Sequence, residues 1–205
     1  MEQPQLKKIK STMAFPPIIL ASQSPRRKEI LQLSGLSFST VSIETPEHLD
    51  PAESIESNVR RIAEEKAKAA IQSFQNDTRD PVLLGADTVV AIDGRILGKP
   101  ANAAEALEML LQLQGRTHEV HTGFALLQSA HLYSECATTE VTLNKMTEEE
   151  ILHYINTAAP FDKAGSYGIQ DPVMACFVSS ITGCYYNVMG LPLSRVWMAL
   201  QKLRS

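Results

Sequence analysis

The segment that decides the fold reads Ile18-Ile19-Leu20-Ala21-Ser22-Gln23-Ser24-Pro25-Arg26-Arg27 and passes directly from apolar to polar residues. Its first three side chains are apolar and predict a short buried strand. Ser24 is a favoured residue at a helix N-cap, and Pro25 suits the first helical position because its ring already fixes a helical φ. Since Gly35 is a typical helix terminator, we predict a strand that leads directly into one short helix.

Helical and strand patterns continue to alternate after this unit. Apolar residues recur at helical spacing from Ile55 to Phe74, and Lys66 lies on the same stripe. The apolar run from Val82 to Ile92 predicts a strand, and the Asp93-Gly94 pair after it is a favoured hairpin turn. We therefore expect an amphipathic helix followed by two paired strands.

The second half of the chain repeats this pattern. Two pairs of residues have the spacing of helix capping, Asn102 with Glu105 and Thr147 with Glu150. Between them, residues 118–127 and 135–143 predict a second hairpin, and residues 193–203 predict a closing helix. Hairpins between helices favour a mixed sheet over an all-parallel one. The expected fold class is α/β, with helices flanking a mixed, twisted sheet.

Composition is that of an ordinary globular protein. Of the 205 residues, 44% are hydrophobic and 20% are charged, and the formal net charge is -4. Nucleic-acid binders and membrane-surface proteins depend on a concentrated basic face. The only basic cluster is formed by Lys7, Lys8 and Lys10, so we expect neither nucleic acid nor a membrane as a partner.

The first residues differ from the rest of the chain. Residues 1–17 are polar and lack apolar periodicity, so we expect a loosely ordered N-terminal extension before a single domain at 18–205. The extension lacks the apolar core of a secretory signal, and the three cysteines form no CxxC pair. Both features predict a cytoplasmic protein with buried free thiols.

The start of the first helix is a candidate anion site. Ser22, Arg26 and Arg27 bring a hydroxyl and two guanidinium groups to the end of the helix that carries the positive pole of its dipole. Guanidinium groups match phosphate oxygens in geometry and charge. The alternative is a capped helix with two solvated arginines. Arginine in a first turn opposes the dipole, which favours a bound anion.

Asp87 is a carboxylate inside an apolar strand. Burial of such a group is costly unless it is hydrogen-bonded, paired or bound to a cation, and such exceptions often lie at active sites. Lys66 and Lys99 would bring positive charge to the same place. The alternative is that Asp87 and Thr88 face solvent from one side of the sheet and that both lysines are ordinary surface residues.

A polar loop from Asp162 to Gln170 is the third candidate, because it combines two glycines with an amide and charged side chains that include Lys163. Such loops between packed elements often bind ligands, although many are simple turns. The chain has no Walker phosphate loop, no dinucleotide-binding GxGxxG and no GxSxG motif. These absences exclude kinases, Rossmann dehydrogenases and serine hydrolases.

Taken together, six motifs make the chain closely resemble the Maf family of nucleoside triphosphate pyrophosphatases. They are Leu20 to Arg27, Gly85-Ala86-Asp87-Thr88-Val89-Val90, Gly98-Lys99-Pro100, His121-Thr122-Gly123, Asp162 to Gln170, and Tyr186 to Leu193. The resemblance covers essentially residues 20–203. It implies a two-lobed α/β fold around a deep cleft, similar to the inosine triphosphatase (Ham1-like) fold. It also implies hydrolysis between the α and β phosphates with a divalent cation, Mg²⁺ or Mn²⁺.

The resemblance also implies roles for individual residues. Ser22, Arg26 and Arg27 would form the phosphate cradle, in agreement with the anion site inferred from the helix start. Asp87 matches the family's catalytic carboxylate, and Lys66 matches one of its cleft lysines.

A second set of positions completes the implied site. Lys99 matches the other cleft lysine. An acidic residue before the first long helix also belongs to the site, and Glu47 is better placed for it than Glu44. Glu47 and Asp87 would be the metal ligands, although Asp87 could instead be the general base, because hard cations and proton transfer use the same side chain. Lys163 would bind the substrate.

Within the family, Arg26, Thr88 and Gln170 match the branch that prefers dTTP and UTP. An amide is suited to a pyrimidine base because it can donate to a carbonyl while accepting from N3–H. The chain departs from the family at Asp171-Pro172, where a glycine is usual, so the loop beside the base is expected to differ.

The expected function is therefore hydrolysis of dTTP, UTP and modified pyrimidine triphosphates to the monophosphate and pyrophosphate. Two alternatives stay open at this point. One is a non-catalytic nucleotide-sensing regulator of cell division. The other is a pyrophosphatase for a methylated or noncanonical purine triphosphate. The family also leads us to expect a homodimer.

Overall fold

A computed structural model describes residues 15–74 and 79–203 of the chain. In chain order, the elements are β1 (Ile18–Ala21), α1 (Pro25–Leu33), β2 (Phe38–Val41), α2 (Ile55–Ala69), α3 (Ile71–Phe74), β3 (Val82–Ile92), β4 (Arg95–Leu97), α4 (Ala103–Leu113), β5 (Thr117–Gln128), β6 (His131–Leu143), α5 (Glu148–Ala158), a 3₁₀ turn (Ala164–Ser166), α6 (Pro172–Ala175), β7 (Val178–Thr182), α7 (Tyr185–Val188) and α8 (Leu193–Lys202).

All of these strands join one mixed sheet in the order β2-β1-β3-β5-β6-β7, with β4 beside β3. Strand β1 is parallel to β2 and β3, whereas the other pairs are antiparallel. The prediction of an α/β protein with a mixed sheet and flanking helices is confirmed.

One edge of β3 has a gap in its strand pairing, which shapes the candidate site described below. Strand β1 ends with Ala21 opposite Gly85, and β4 pairs with β3 only from Val90 onward. Within the described ranges, no strand pairs with residues 86–89 on this edge, whereas the opposite edge is paired with β5 throughout. The sheet therefore opens a notch beside Asp87 and Thr88.

The apolar core lies in three clusters around β3 and β5. Helices α1 and α8 cover one face of the first half of β3, and α2 covers the other face. Helices α4 and α5 pack around the second half of the long strands. Two lobes thus share the long strands, and the notch lies where they meet.

Several local predictions are confirmed and others are wrong. Asn102 accepts a hydrogen bond from the Glu105 amide, and Thr147 and Glu150 form a full capping box. Ser24 occupies the N-cap position but its side chain makes no capping bond. Instead, its amide donates to the Ser22 hydroxyl at 3.1 Å. The apolar stripe from 55 to 74 is divided into α2 and α3.

Most of the expected N-terminal extension, residues 1–14, lies outside the described residues. The cysteines are free thiols, but they are not buried as expected, since Cys176 is exposed and Cys136 and Cys184 are half-buried. Among the described helices, none combines the length and the apolar composition that a membrane crossing requires.

Candidate active site

The notch in the sheet opens into a cavity of about 560 Å³. Its walls are the start of α1, the loop between β2 and α2, the middle of β3, and the loop at residues 162–170. All ten residues that the sequence and the family resemblance assigned to a site line this cavity, and so does Glu44. The cavity therefore brings together the separate candidates of the sequence.

At the floor of the cavity, Lys66 joins two carboxylates. Its Nζ lies 2.7 Å from Asp87 Oδ1 and 2.7 Å from Glu47 Oε1. Asp87 is only 6% exposed, so the alternative in which it faces solvent is wrong. The Lys66 side chain is also buried, whereas that of Glu47 is 46% exposed. The buried ion pair keeps a negatively charged oxygen at the inner end of the cavity.

Two glycines allow this ion pair to form. A Cβ atom at Gly85 of β3 would collide with the Ala63 carbonyl oxygen of α2, and one at Gly123 of β5 would collide with the Val59 carbonyl. Helix α2 therefore lies directly on the sheet, closer than ordinary side chains permit. Lys66 follows Ala63 by one helical turn, which places its side chain over Asp87.

Glu47 is the acidic residue of the β2–α2 loop that joins this cluster. Burial raises the pKa of Glu47, but the Lys66 ammonium outweighs it by hydrogen bonding and charge, with help from Lys99, so the net shift is downward. Lys99 Nζ lies 3.8 Å from Glu47 Oε2. Glu44 lines the same cavity but has no ion pair within the described part of the chain. The geometry thus favours Glu47 over Glu44.

Arg27 is a buried guanidinium held from three sides. Its Nε donates to the Gly190 carbonyl at 2.8 Å, Nη2 donates to Thr88 Oγ1 at 3.0 Å, and Nη1 donates to Ser22 Oγ at 3.3 Å. Burial lowers the pKa of Arg27, while the negative charges of Asp87 and Glu47 act against that shift. The alternative of a solvated arginine is wrong for Arg27, because this residue is only 9% exposed.

A chain of hydroxyl groups behind Arg27 was missed by the sequence reasoning. Thr122 Oγ1 donates to the Asn187 carbonyl at 2.9 Å and lies 3.0 Å from Thr88 Oγ1. Since the single Thr122 hydroxyl proton is used on Asn187, Thr88 must donate to Thr122 and accept from Arg27. Thr88 therefore orients Arg27. Thr122 and Asn187 lie in motifs of the family resemblance, but their spacing gave no sign of this contact.

Arg26 reaches across the mouth of the cavity to the opposite lobe. Its Nη1 lies 2.6 Å from Asp162 Oδ2, and its Nη2 donates to the Asp162 carbonyl at 3.2 Å. Lys163 Nζ lies 3.1 Å from the other carboxylate oxygen. Burial raises the pKa of Asp162, but the bonds from Arg26 and Lys163 lower it by more. An anion that binds Arg26 must compete with this carboxylate.

Gln170 is half-buried on the cavity wall. Its Oε1 atom is buried and has no hydrogen-bond partner in the described part of the chain, and the same is true of Thr45 Oγ1 on the β2–α2 loop. Buried polar atoms without a partner are uncommon in folded proteins and are costly. Both residues line the cavity, so a small side-chain movement would bring either atom to a polar molecule there.

The carboxylates fit a metal that arrives with an anionic ligand. The described residues include no group of three or more His, Cys, Asp or Glu side chains arranged to hold an ion. Magnesium, however, is often held by one or two carboxylates together with phosphate oxygens and water. Asp87 and Glu47, which both contact Lys66 Nζ, would supply such a partial oxygen set.

Comparison with known proteins agrees with this geometry. The model of a family described as Maf-like protein matches residues 17–203. A dTTP/UTP pyrophosphatase of Chlorobium luteolum is 57% identical over 191 residues, which are 93% of this chain and 99% of the relative. A dTTP/UTP pyrophosphatase of Bacillus cytotoxicus is 47% identical over 187 residues, which are 91% of this chain and 95% of the relative. With this coverage and identity, the chain belongs to the Maf family.

Proposed function

We propose that this protein is a nucleoside triphosphate pyrophosphatase that hydrolyses dTTP and UTP to the monophosphate and pyrophosphate. The observation that carries the proposal is the cavity in which the fixed guanidinium of Arg27 faces the same space as the Asp87–Lys66 pair. One group suits a phosphate, and the other suits an attacking water. The activity that the relatives are named for supports the same assignment.

Binding of the triphosphate is assigned to the cationic side chains of the two walls. Arg27 is already oriented by three hydrogen bonds and loses little conformational freedom when it binds a phosphate oxygen. The Ser22 hydroxyl lies beside Arg27 and would hydrogen-bond to the same phosphate group. Arg26 and Lys163 would bind further phosphate oxygens once these displace Asp162.

Hydrolysis is assigned to Asp87 and its neighbours. Asp87 orients and deprotonates a water molecule, or would instead help to hold a divalent cation, and the ion pair with Lys66 holds the Asp87 carboxylate in place. The water oxygen bonds to the α phosphorus, the bond to the bridging oxygen breaks, and the electron pair leaves with pyrophosphate. Lys99 and Arg27 stabilise the charge that develops on the phosphate oxygens.

A divalent cation is part of the proposal. Asp87 and Glu47 are the residues that would hold Mg²⁺ or Mn²⁺. When bound, such a cation neutralises charge on the triphosphate in the transition state. Chelation should therefore stop turnover, and adding Mg²⁺ or Mn²⁺ should restore it.

Recognition of the base is assigned to Gln170. A pyrimidine-2,4-dione offers acceptor, donor and acceptor along O2, N3–H and O4. The carboxamide of Gln170, a residue of the cavity wall, can accept from N3–H through its oxygen while its nitrogen donates to a carbonyl. Uracil and thymine share this dione edge, which accounts for a combined UTP and dTTP preference.

Steady-state kinetics with a panel of triphosphates test the proposal. We expect the highest kcat/KM values for dTTP and UTP. Asp87→Asn should lower kcat at least about a hundredfold without loss of the fold. Asp93→Asn is a matched control, because it makes the same change on an exposed hairpin turn. Binding without turnover would favour a sensor, and a preference for purines would favour the other alternative.

The cytoplasmic location and the homodimer belong to the same proposal. The location is supported by the absence of paired CxxC cysteines, and the dimer by the family alone. Light scattering of the purified protein tests the dimer, since a mass close to that of one chain would contradict it.

A further inference from the structure

The buried Tyr154 hydroxyl forms hydrogen bonds with Gly168 and Asp171, the two ends of the segment that carries Gln170. The Tyr154 hydroxyl of α5 lies 2.6 Å from Asp171 Oδ2, and the Gly168 amide donates to that same hydroxyl at 3.0 Å. The Tyr154 side chain is fully buried. Burial raises the pKa of Tyr154 and so does the bond to Asp171, so the hydroxyl keeps its proton and donates it to the carboxylate.

The segment between these two contacts is folded tightly against Asp171. The Asp171 amide donates to the Gly168 carbonyl at 3.0 Å and closes a turn. A Cβ atom at Gly168 would lie 2.7 Å from Asp171 Oδ2, so a larger residue there would have to displace this carboxylate. Lys163 Nζ lies 3.8 Å from the same oxygen and adds a second, weaker restraint.

Gln170 lies inside this turn, one residue before Asp171. Its backbone is therefore fixed on both sides, and the residue lines the cavity, while its Oε1 atom is buried and has no hydrogen-bond partner among the described residues. Since Tyr154 is part of the apolar core around α4 and α5, the turn is tied to the buried core of that lobe.

The orientation of an amide decides which pyrimidine it accepts. Uracil offers a donor at N3, whereas cytosine offers an acceptor at N3 and donors on its exocyclic amine. A carboxamide that is free to rotate by half a turn can pair with either base, because its oxygen and nitrogen exchange places. A carboxamide held in one orientation pairs with uracil or thymine only and leaves mismatched polar groups against cytosine.

We propose that Tyr154 and Asp171 are positioning residues that enforce selectivity for uracil and thymine over cytosine by fixing the turn around Gln170. The inference rests on the proposed function, since it takes the nucleotide base to be the ligand of Gln170. Tyr154 and Asp171 do not touch the phosphate-binding residues on α1 or the Asp87–Lys66 pair. Asp171 also lies 3.8 Å from Lys163, so Tyr154 is the residue whose change bears on the choice of base alone.

The test compares kcat and KM for UTP and CTP in the wild type and in Tyr154→Phe, which keeps the buried ring and removes the hydroxyl. We expect the ratio of kcat/KM for UTP to that for CTP to fall about tenfold. The fall should come from a higher KM for UTP, with kcat for UTP within about twofold of the wild type. Asp171→Ala should give the same pattern.

Two further variants distinguish positioning from a general structural effect. Asp171→Asn keeps an acceptor for the Tyr154 hydroxyl and should retain most of the selectivity. Tyr133→Phe removes a similar bond, from Tyr133 to Glu135 at 2.7 Å on β6, and should leave the ratio unchanged. Equal losses for UTP and CTP in Tyr154→Phe and Asp171→Ala, or an unchanged ratio, would overturn the inference.

Failure of the proposed function gives a different result. In that case the wild-type protein would hydrolyse neither nucleotide. The ratio of Kd values for UTP and CTP, measured by calorimetry with the same variants, would then decide the inference. A ratio that falls in Tyr154→Phe supports positioning of Gln170, and a constant ratio rejects it.

Discussion

Removal of the Lys66 charge should destabilise the protein strongly, because it leaves the buried Asp87 carboxyl group without its ion-pair partner. Lys66→Met is the appropriate change, since methionine preserves much of the apolar stem and lacks the ammonium. In the wild type, Nζ lies 2.7 Å from Asp87 Oδ1, and both side chains are 8% exposed. The variant leaves a largely buried carboxyl group without its charged partner.

The expected loss follows from this burial. Removing one partner of a buried ion pair costs about 3–5 kcal/mol of unfolding free energy. For a chain of this size, that corresponds to a fall in Tm of roughly 6–20 °C. The bridge to Glu47 contributes less, because that side chain is 46% exposed, and Glu47→Gln should cost below about 1 kcal/mol.

Urea unfolding at neutral pH, without nucleotide and with chelator present, measures these changes. The double variant Lys66→Met/Asp87→Asn should be more stable than the sum of the two single effects by about 2–3 kcal/mol, since it removes both charges. Additive effects, or a Lys66→Met variant within about 1 kcal/mol of the wild type, would refute the reasoning.

Three other outcomes follow from the site. Asp162→Asn should lower KM for UTP about two- to fivefold, because it removes the half-exposed carboxylate that competes with phosphate for Arg26. A higher KM for UTP in this variant would contradict the competition. Gln170→Glu should lower kcat/KM for UTP and dTTP roughly tenfold to a hundredfold, and an equal loss for purine triphosphates would separate Gln170 from base recognition. Burial lowers the pKa of His118 from 6.5 to about 4. Between these two pH values, His118 is therefore protonated in the unfolded chain and neutral in the folded protein. The stability from the neutral, buried His118 is complete above pH 6.5 and is lost as pH falls toward 4, by up to about 3 kcal/mol. In urea unfolding between pH 4 and 7, His118→Phe should show a flatter profile than the wild type, and identical slopes would contradict the assignment.

The parts of the site that the sequence predicted are those with a local signal. A lysine on an apolar helix stripe and an aspartate in an apolar strand are each anomalous where they stand, and the structure pairs Lys66 with Asp87. The strand–helix unit that carries Arg27 is predicted for the same reason, since capping and periodicity act within a few residues.

The parts that the sequence missed depend on docking between distant segments. Asp162 is 136 residues from Arg26, and nothing in the local pattern of either residue predicts their ion pair. Tyr154 has the helical periodicity of an ordinary core residue, and only the structure reveals what its hydroxyl contacts. Strand β2 was also missed, because it is four residues long and half-exposed and so lacks an apolar pattern.

Hydrolysis of UTP in ¹⁸O-labelled water tests the central claim most directly. With Mg²⁺ present, mass spectrometry of the first products should find UMP that carries one ¹⁸O atom, together with unlabelled pyrophosphate in equal amount. UDP and inorganic phosphate as first products would contradict α–β cleavage, and label in pyrophosphate instead of UMP would contradict attack at the α phosphorus.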